Sequence, residues 1–143
     1  MPALRHIAVV AEDPARMAEY YKTVFEMYEV RRSTSGAVYL SDGVMSLVLL
    51  PHRPDGETAK LGPHHFGFQV EDVAAVKERM AAAGADATTH GTPRDGRYAE
   101  QWASDPEGNR VDLSVAGWAT VPAEPAGAGS AAAAMPAASG APA

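Results

Sequence analysis

The chain has no cysteine. That excludes a disulfide framework, a thiolate zinc site and a thiol nucleophile. Positive charge is scarce: 12 Lys and Arg stand against 18 Asp and Glu, for a net charge of −6. With a pI near 5.3, the balance argues against a nucleic-acid partner, which normally meets a basic patch. No run approaches the roughly 20 apolar residues of a membrane span. The opening stretch MPALRHIAVV lacks the long apolar core of a signal peptide, so a cytoplasmic location is expected. Phosphate-cradling and dinucleotide-binding glycine motifs are also missing. The 143 residues amount to about one domain.

Composition shifts after Trp118. From Ala119 to Ala143 the chain is mostly Ala, Pro, Gly and Ser, with no helical or strand period. Such a segment buries too little surface to offset its ordering entropy, so a disordered tail is expected. Residues 1–118 then form the folded unit. It is large enough for a core but small enough that a homodimer would help it, and one is expected.

Within that unit the sequence repeats. His6-Ile7-Ala8-Val9-Val10-Ala11-Glu12-Asp13 aligns without a gap on His65-Phe66-Gly67-Phe68-Gln69-Val70-Glu71-Asp72, at an offset of 59. Both segments alternate as strands and end at Glu-Asp. Asp13 followed by Pro14 reads as a helix start. Met17, Tyr20, Tyr21, Val24 and Tyr28 then recur at helical spacing. Asp72 caps a second helix, with Val73, Val76, Met80 and Ala83 on one face and Gly84 as its stop. Each copy reads as β-α-β-β-β, over about 3–51 and 63–115, joined by the polar link Pro51–Pro63. The fold class predicted is α+β, built from two paired modules.

Strand alternation sorts the polar residues. Ile7 and Val9 share one face, as do Phe66, Phe68 and Val70, and Val111, Leu113 and Val115. These apolar faces suit packing against helices. The opposite faces carry His6, Ala8 and Val10, then His65, Gly67 and Gln69, then Asp112 and Ser114, which suit a cleft. A five-residue loop over Asp105–Asn109 pairs Ser104 with Arg110. It sets Trp102 opposite Asp112 and Glu100 opposite Ser114, with Tyr98 at the next even step. His6, His65 and Asp112 make a two-His-one-carboxylate set, which leaves open positions on a divalent metal. His64 points to the other face. His52 and His90 fall in expected loops.

Arg5-His6-Ile7-Ala8-Val9, His64–Asp72 and Asp105-Pro-Glu-Gly-Asn-Arg-Val-Asp-Leu113 together resemble the vicinal oxygen chelate superfamily. That group includes glyoxalase I, extradiol dioxygenases, methylmalonyl-CoA epimerase, fosfomycin-resistance transferases and bleomycin-resistance proteins. The resemblance implies paired βαβββ modules whose sheets curl around a metal, with His6 and His65 as ligands. The third ligand falls at Asp112, where the family usually has Glu. Glyoxalase I and the epimerase use a fourth ligand, here at Leu47 or Val48, and neither can ligate. The resistance transferases need cations around the metal, and Ser-Val-Ala-Gly-Trp after Asp112 offers none. The expected activity is therefore a metal-dependent enzyme of dioxygenase or lyase type acting on a small vicinal-oxygen or aromatic molecule. Fe(II) is the favoured ion, with Mn, Ni, Co or Zn as alternatives. Glu100 is the candidate base and Tyr98 a candidate proton donor. Trp102, Tyr39 and Gln69 are candidate substrate contacts. The alternative is a protein that binds a small molecule or sequesters a drug, and a further one is a glyoxalase, an epimerase or a fosfomycin-type thiol transferase.

Overall fold

In a computed structural model, residues 1–90 and 101–122 are described. They form β1 (Ala3–Ala11), α1 (Pro14–Phe25), β2 (Tyr28–Arg32), β3 (Val38–Ser41), β4 (Ser46–Pro51), β5 (Gly62–Gln69), α2 (Val73–Ala82), β6 (Gln101–Ser104) and β7 (Arg110–Ser114). The fold is α+β. The first copy has the expected β-α-β-β-β order. In the second, a single bridge between His90 and Trp102 precedes β6 and β7.

Two compact units divide the chain, and the division does not fall between the repeats. It cuts β1: Met1–His6 join His65–Trp118, and Ile7–His64 join the described residues from Ala119. His6 thus belongs to the same unit as His65 and Asp112.

The unit built on Ile7–His64 has strand order β2-β3-β4-β1. Antiparallel pairing sets Val38 opposite Leu49 and Leu40 opposite Leu47. Helix α1 starts where the Asp13 carboxylate accepts the Arg16 N–H at 3.0 Å, beside Pro14. It stops at Glu26, whose φ of 57° is left-handed. Ala18 packs with Val38, Leu40 and Leu49, flanked by Val9, Tyr21, Met27 and Leu47.

The helically spaced residues of α1 do not make up its buried face. Pro14 and Ala18 are buried, whereas Met17, Tyr20 and Val24 are exposed. A small residue lets the helix lie close on the sheet, which turns the larger ones outward. Tyr28 has already left the helix and starts β2. Ile7, expected in the core, is 39% exposed. The other face of the sheet is apolar too: Ala8, Ala37 and Val48 pack with Tyr39 and Leu50. Past the Trp118 boundary, the Tyr28 hydroxyl donates to the Thr120 carbonyl.

The unit containing Met1–His6 and His65–Trp118 has strand order β1-β5-β7-β6. Asp72 caps α2 by accepting the Ala74 and Ala75 N–H groups at 2.9 and 3.3 Å. No residue of α2 is fully buried. Beneath it lies a cavity of about 360 Å³, lined by residues that include Phe68, Val70, Val76, Met80, Val111 and Leu113. The apolar face assigned from alternation is thus where α2 sits, but Val76 and Met80 do not fill the space. The hairpin register is as expected: Ser104 pairs with Arg110 and Trp102 with Asp112. Asp105 fixes it by accepting the Glu107 and Asn109 N–H groups, each at 2.9 Å.

Candidate metal centre

Parallel pairing of β5 and β7 sets Gly67 beside Asp112. His65 lies two residues before Gly67, and Arg110 two before Asp112, so all four share a face. His6 comes to the same place from β1. Its Nε2 is 3.3 Å from the Nε2 of His65. The His65 Nε2 in turn is 3.1 Å from Oδ2 of Asp112. The ligand-capable atoms of His6, His65 and Asp112 all lie within 4.8 Å of one another. His6 and Asp112 are each only 3% exposed.

The Arg110 Nε donates to Oδ1 of Asp112 at 2.9 Å, which leaves Oδ2 toward His65. Burial by itself would raise the Asp112 carboxyl. The hydrogen bond and charge of His65, with Arg110, outweigh it and hold the group below its ordinary value. Burial pushes the His6 imidazole down to about 3, helped by His65 and Arg110 and opposed by Asp112. His6 is therefore neutral at neutral pH, the form that donates a lone pair.

The remaining candidates are scattered. Trp102, opposite Asp112, stacks with the His90 ring at 4.3 Å and carries the Arg110 guanidinium at 4.8 Å. The Gln69 amide donates to the Val115 carbonyl at 3.2 Å, bracing the turn after β7. Tyr39 belongs to the other unit, where the Arg31 guanidinium lies 4.4 Å from its ring. Glu100 and Tyr98 lie outside the described residues. His64 and His52 donate to the Glu57 and Ala59 carbonyls, each at 3.0 Å.

The sequence matches the model of the Glyoxalase/Bleomycin resistance protein/Dioxygenase superfamily over residues 3–113. The chain belongs to that superfamily. Solved structures similar to this superfamily member include the 2,3-dioxygenase LapB from Pseudomonas sp. KL28, at 18% identity and a TM-score of 0.62. That match covers 82% of this chain but only 41% of the dioxygenase. Methylmalonyl-CoA epimerase from Mycobacterium tuberculosis is 18% identical with a TM-score of 0.60, over 78% of this chain and 85% of the epimerase. A Streptomyces coelicolor methylmalonyl-CoA epimerase in complex with 2-nitronate-propionyl-CoA is 19% identical with a TM-score of 0.56, covering 77% of this chain and 94% of that one. No curated protein matches the sequence.

Within this superfamily framework, Leu47 flanks the cluster under α1 and Val48 is buried on the opposite face of the sheet. Both are hydrocarbon, so neither position provides a fourth ligand. Two residues at the site escape the sequence reading. Arg110 was legible in principle, since it stands two residues from Asp112 on one strand. Trp118, whose ring stacks on His6 with centroids 4.7 Å apart, was not, because it lies past β7, outside any strand alternation. Among the described residues, no helix is long and apolar enough to cross a membrane.

Proposed function

We propose that this superfamily member is a metal-dependent enzyme of dioxygenase or lyase type, acting on a small vicinal-oxygen or aromatic substrate. One observation carries the reading: two imidazole nitrogens and one carboxylate oxygen, from three strands, converge within 4.8 Å of one another. The donor set suits Fe(II), Mn, Ni, Co or Zn, with Fe(II) favoured. His6, His65 and Asp112 would hold the ion. When bound, it supplies Lewis acidity toward adjacent substrate oxygens and, as Fe(II), redox chemistry with dioxygen.

The chain's own groups prepare the site. His6 stays neutral because it is buried, so a metal need not compete with a proton. Arg110 occupies Oδ1 of Asp112 and so orients Oδ2, the kind of outer partner that fixes a ligand. Trp102 and Gln69 are proposed to contact substrate. Glu100 is proposed as the base and Tyr98 as proton donor, from sequence alternation alone. A cytoplasmic homodimer belongs to the same reading. The hydrocarbon at Leu47 and Val48 supports dioxygenase or lyase chemistry over that of glyoxalase I or an epimerase, which draw on a fourth ligand.

The test is elemental analysis of wild-type protein and His65→Ala, then turnover after reconstitution with Fe(II), Ni, Mn and Zn in turn. Wild type should hold a stoichiometric ion and the variant should lose it. A catechol panel should turn over, and the methylglyoxal–glutathione adduct should not. Full metal retention by His65→Ala would remove the ligand assignment. Efficient turnover of the glutathione adduct would reverse the choice of reaction. A metal-free protein that binds aromatic ligands without turning them over would favour sequestration.

A further inference from the structure

Trp118 stands four residues after β7. Its indole is parallel to the His6 imidazole, with an interplanar angle of 2° and centroids 4.7 Å apart. The plate sits over Gly67. A Cβ there would fall 2.6 and 2.8 Å from two indole ring carbons, so the strand beside Asp112 can carry no side chain if the indole is to lie where it does.

The turn that delivers the indole is itself braced. The buried Ser114 Oγ accepts the Gly117 N–H at 2.9 Å. Gly117 has a φ of +76°, in the left-handed region, and a Cβ on it would meet the Gln69 amide at 2.7 Å. Gln69 holds the same turn through the Val115 carbonyl. Two glycines, a buried serine and a glutamine thus cooperate to place one aromatic ring against one imidazole.

The terminal torsion of histidine is broad and roughly two-fold, so a strand fixes the Cβ of His6 but not its ring plane. A ligand nitrogen must be aimed to within about 10–20°. A flat aromatic plate in parallel contact restricts that torsion.

We propose that Trp118 is a positioning residue of the metal centre, restricting the plane of the His6 ring so that its Nε2 is held ready to ligate. Gly67 and Gly117 provide the room that this requires. The proposal rests on the metal reading of His6, His65 and Asp112.

The test uses the full chain, with Zn(II) affinity measured by competition against a chromophoric chelator and Co(II) site geometry by visible absorption. Trp118→Leu keeps apolar bulk but removes the plate, and Trp118→Ala removes both. Each should weaken Zn(II) binding about 10- to 100-fold, the range seen for outer-shell partners, and change the Co(II) spectrum. Trp118→Phe keeps a plate and should restore most of the affinity and the wild-type spectrum. Gly67→Ala displaces the indole without touching His6 and should behave like Trp118→Leu. Wild-type affinity and spectrum in a folded Trp118→Leu, judged by circular dichroism, would overturn the positioning role. If Trp118→Leu does not fold, wild-type values for Gly67→Ala would do so. Absence of Zn(II) and Co(II) binding by the wild type would overturn the metal reading and this proposal with it.

Discussion

Acid should weaken the metal-free protein through one residue, His6. An unfolded histidine titrates at 6.5, whereas burial, with His65 and Arg110, holds His6 down to about 3. Between those values the unfolded chain binds a proton that the folded chain refuses. Stability therefore falls as pH drops below 6.5, and the loss is complete near 3. The slope is about 1.4 kcal/mol per pH unit within that window. From about pH 7 to about pH 5 the loss integrates to about 2 kcal/mol, a shift of about 1 M in urea midpoint for a domain of this size. Asp112 does not enter the range from about pH 7 to about pH 5. Its carboxyl is lowered from 3.8, so what it contributes is present above that value and is lost only in stronger acid. The measurement is urea unfolding of chelator-treated protein at several pH values, for wild type and His6→Gln. The glutamine cannot titrate, so its midpoint should lack this fall. Parallel pH profiles for the two proteins would show that His6 is accessible to protons, contrary to its burial.

Three further outcomes follow from the packing. Asp72→Ala removes the cap that accepts two N–H groups of α2 and should cost about 1 kcal/mol by denaturant unfolding. Ala83→Leu points new hydrocarbon into the apolar cavity under α2 and should stabilise by about 1 kcal/mol; a lower midpoint would mean that the cavity cannot admit the side chain. A chain ending at Pro122 keeps the Tyr28–Thr120 contact and should melt with the full chain, whereas one ending at Trp118 loses that contact and should melt lower.

Local signals in the sequence carried far. Asp13-Pro14 and Asp72 mark helix starts because a carboxylate satisfies N–H groups that no helical carbonyl reaches. Asp105–Asn109 fixes its hairpin register through contacts made within the loop, so the pairing of Trp102 with Asp112 was legible. The aligned histidines were legible as well, because a repeat places equivalent residues on equivalent strands. Tertiary structure decided the rest. Which face of α1 is buried depends on how closely Ala18 lets the helix approach the sheet, not on helical spacing alone. His6 shares a compact unit with His65 and Asp112 because β1 divides inside the strand, where the sequence shows no boundary. Arg110 on Asp112 and Trp118 on His6 depend on distances between segments remote in the chain. Alternation assigns a residue to a face, but only the packed strands determine which atoms on that face come within bonding reach.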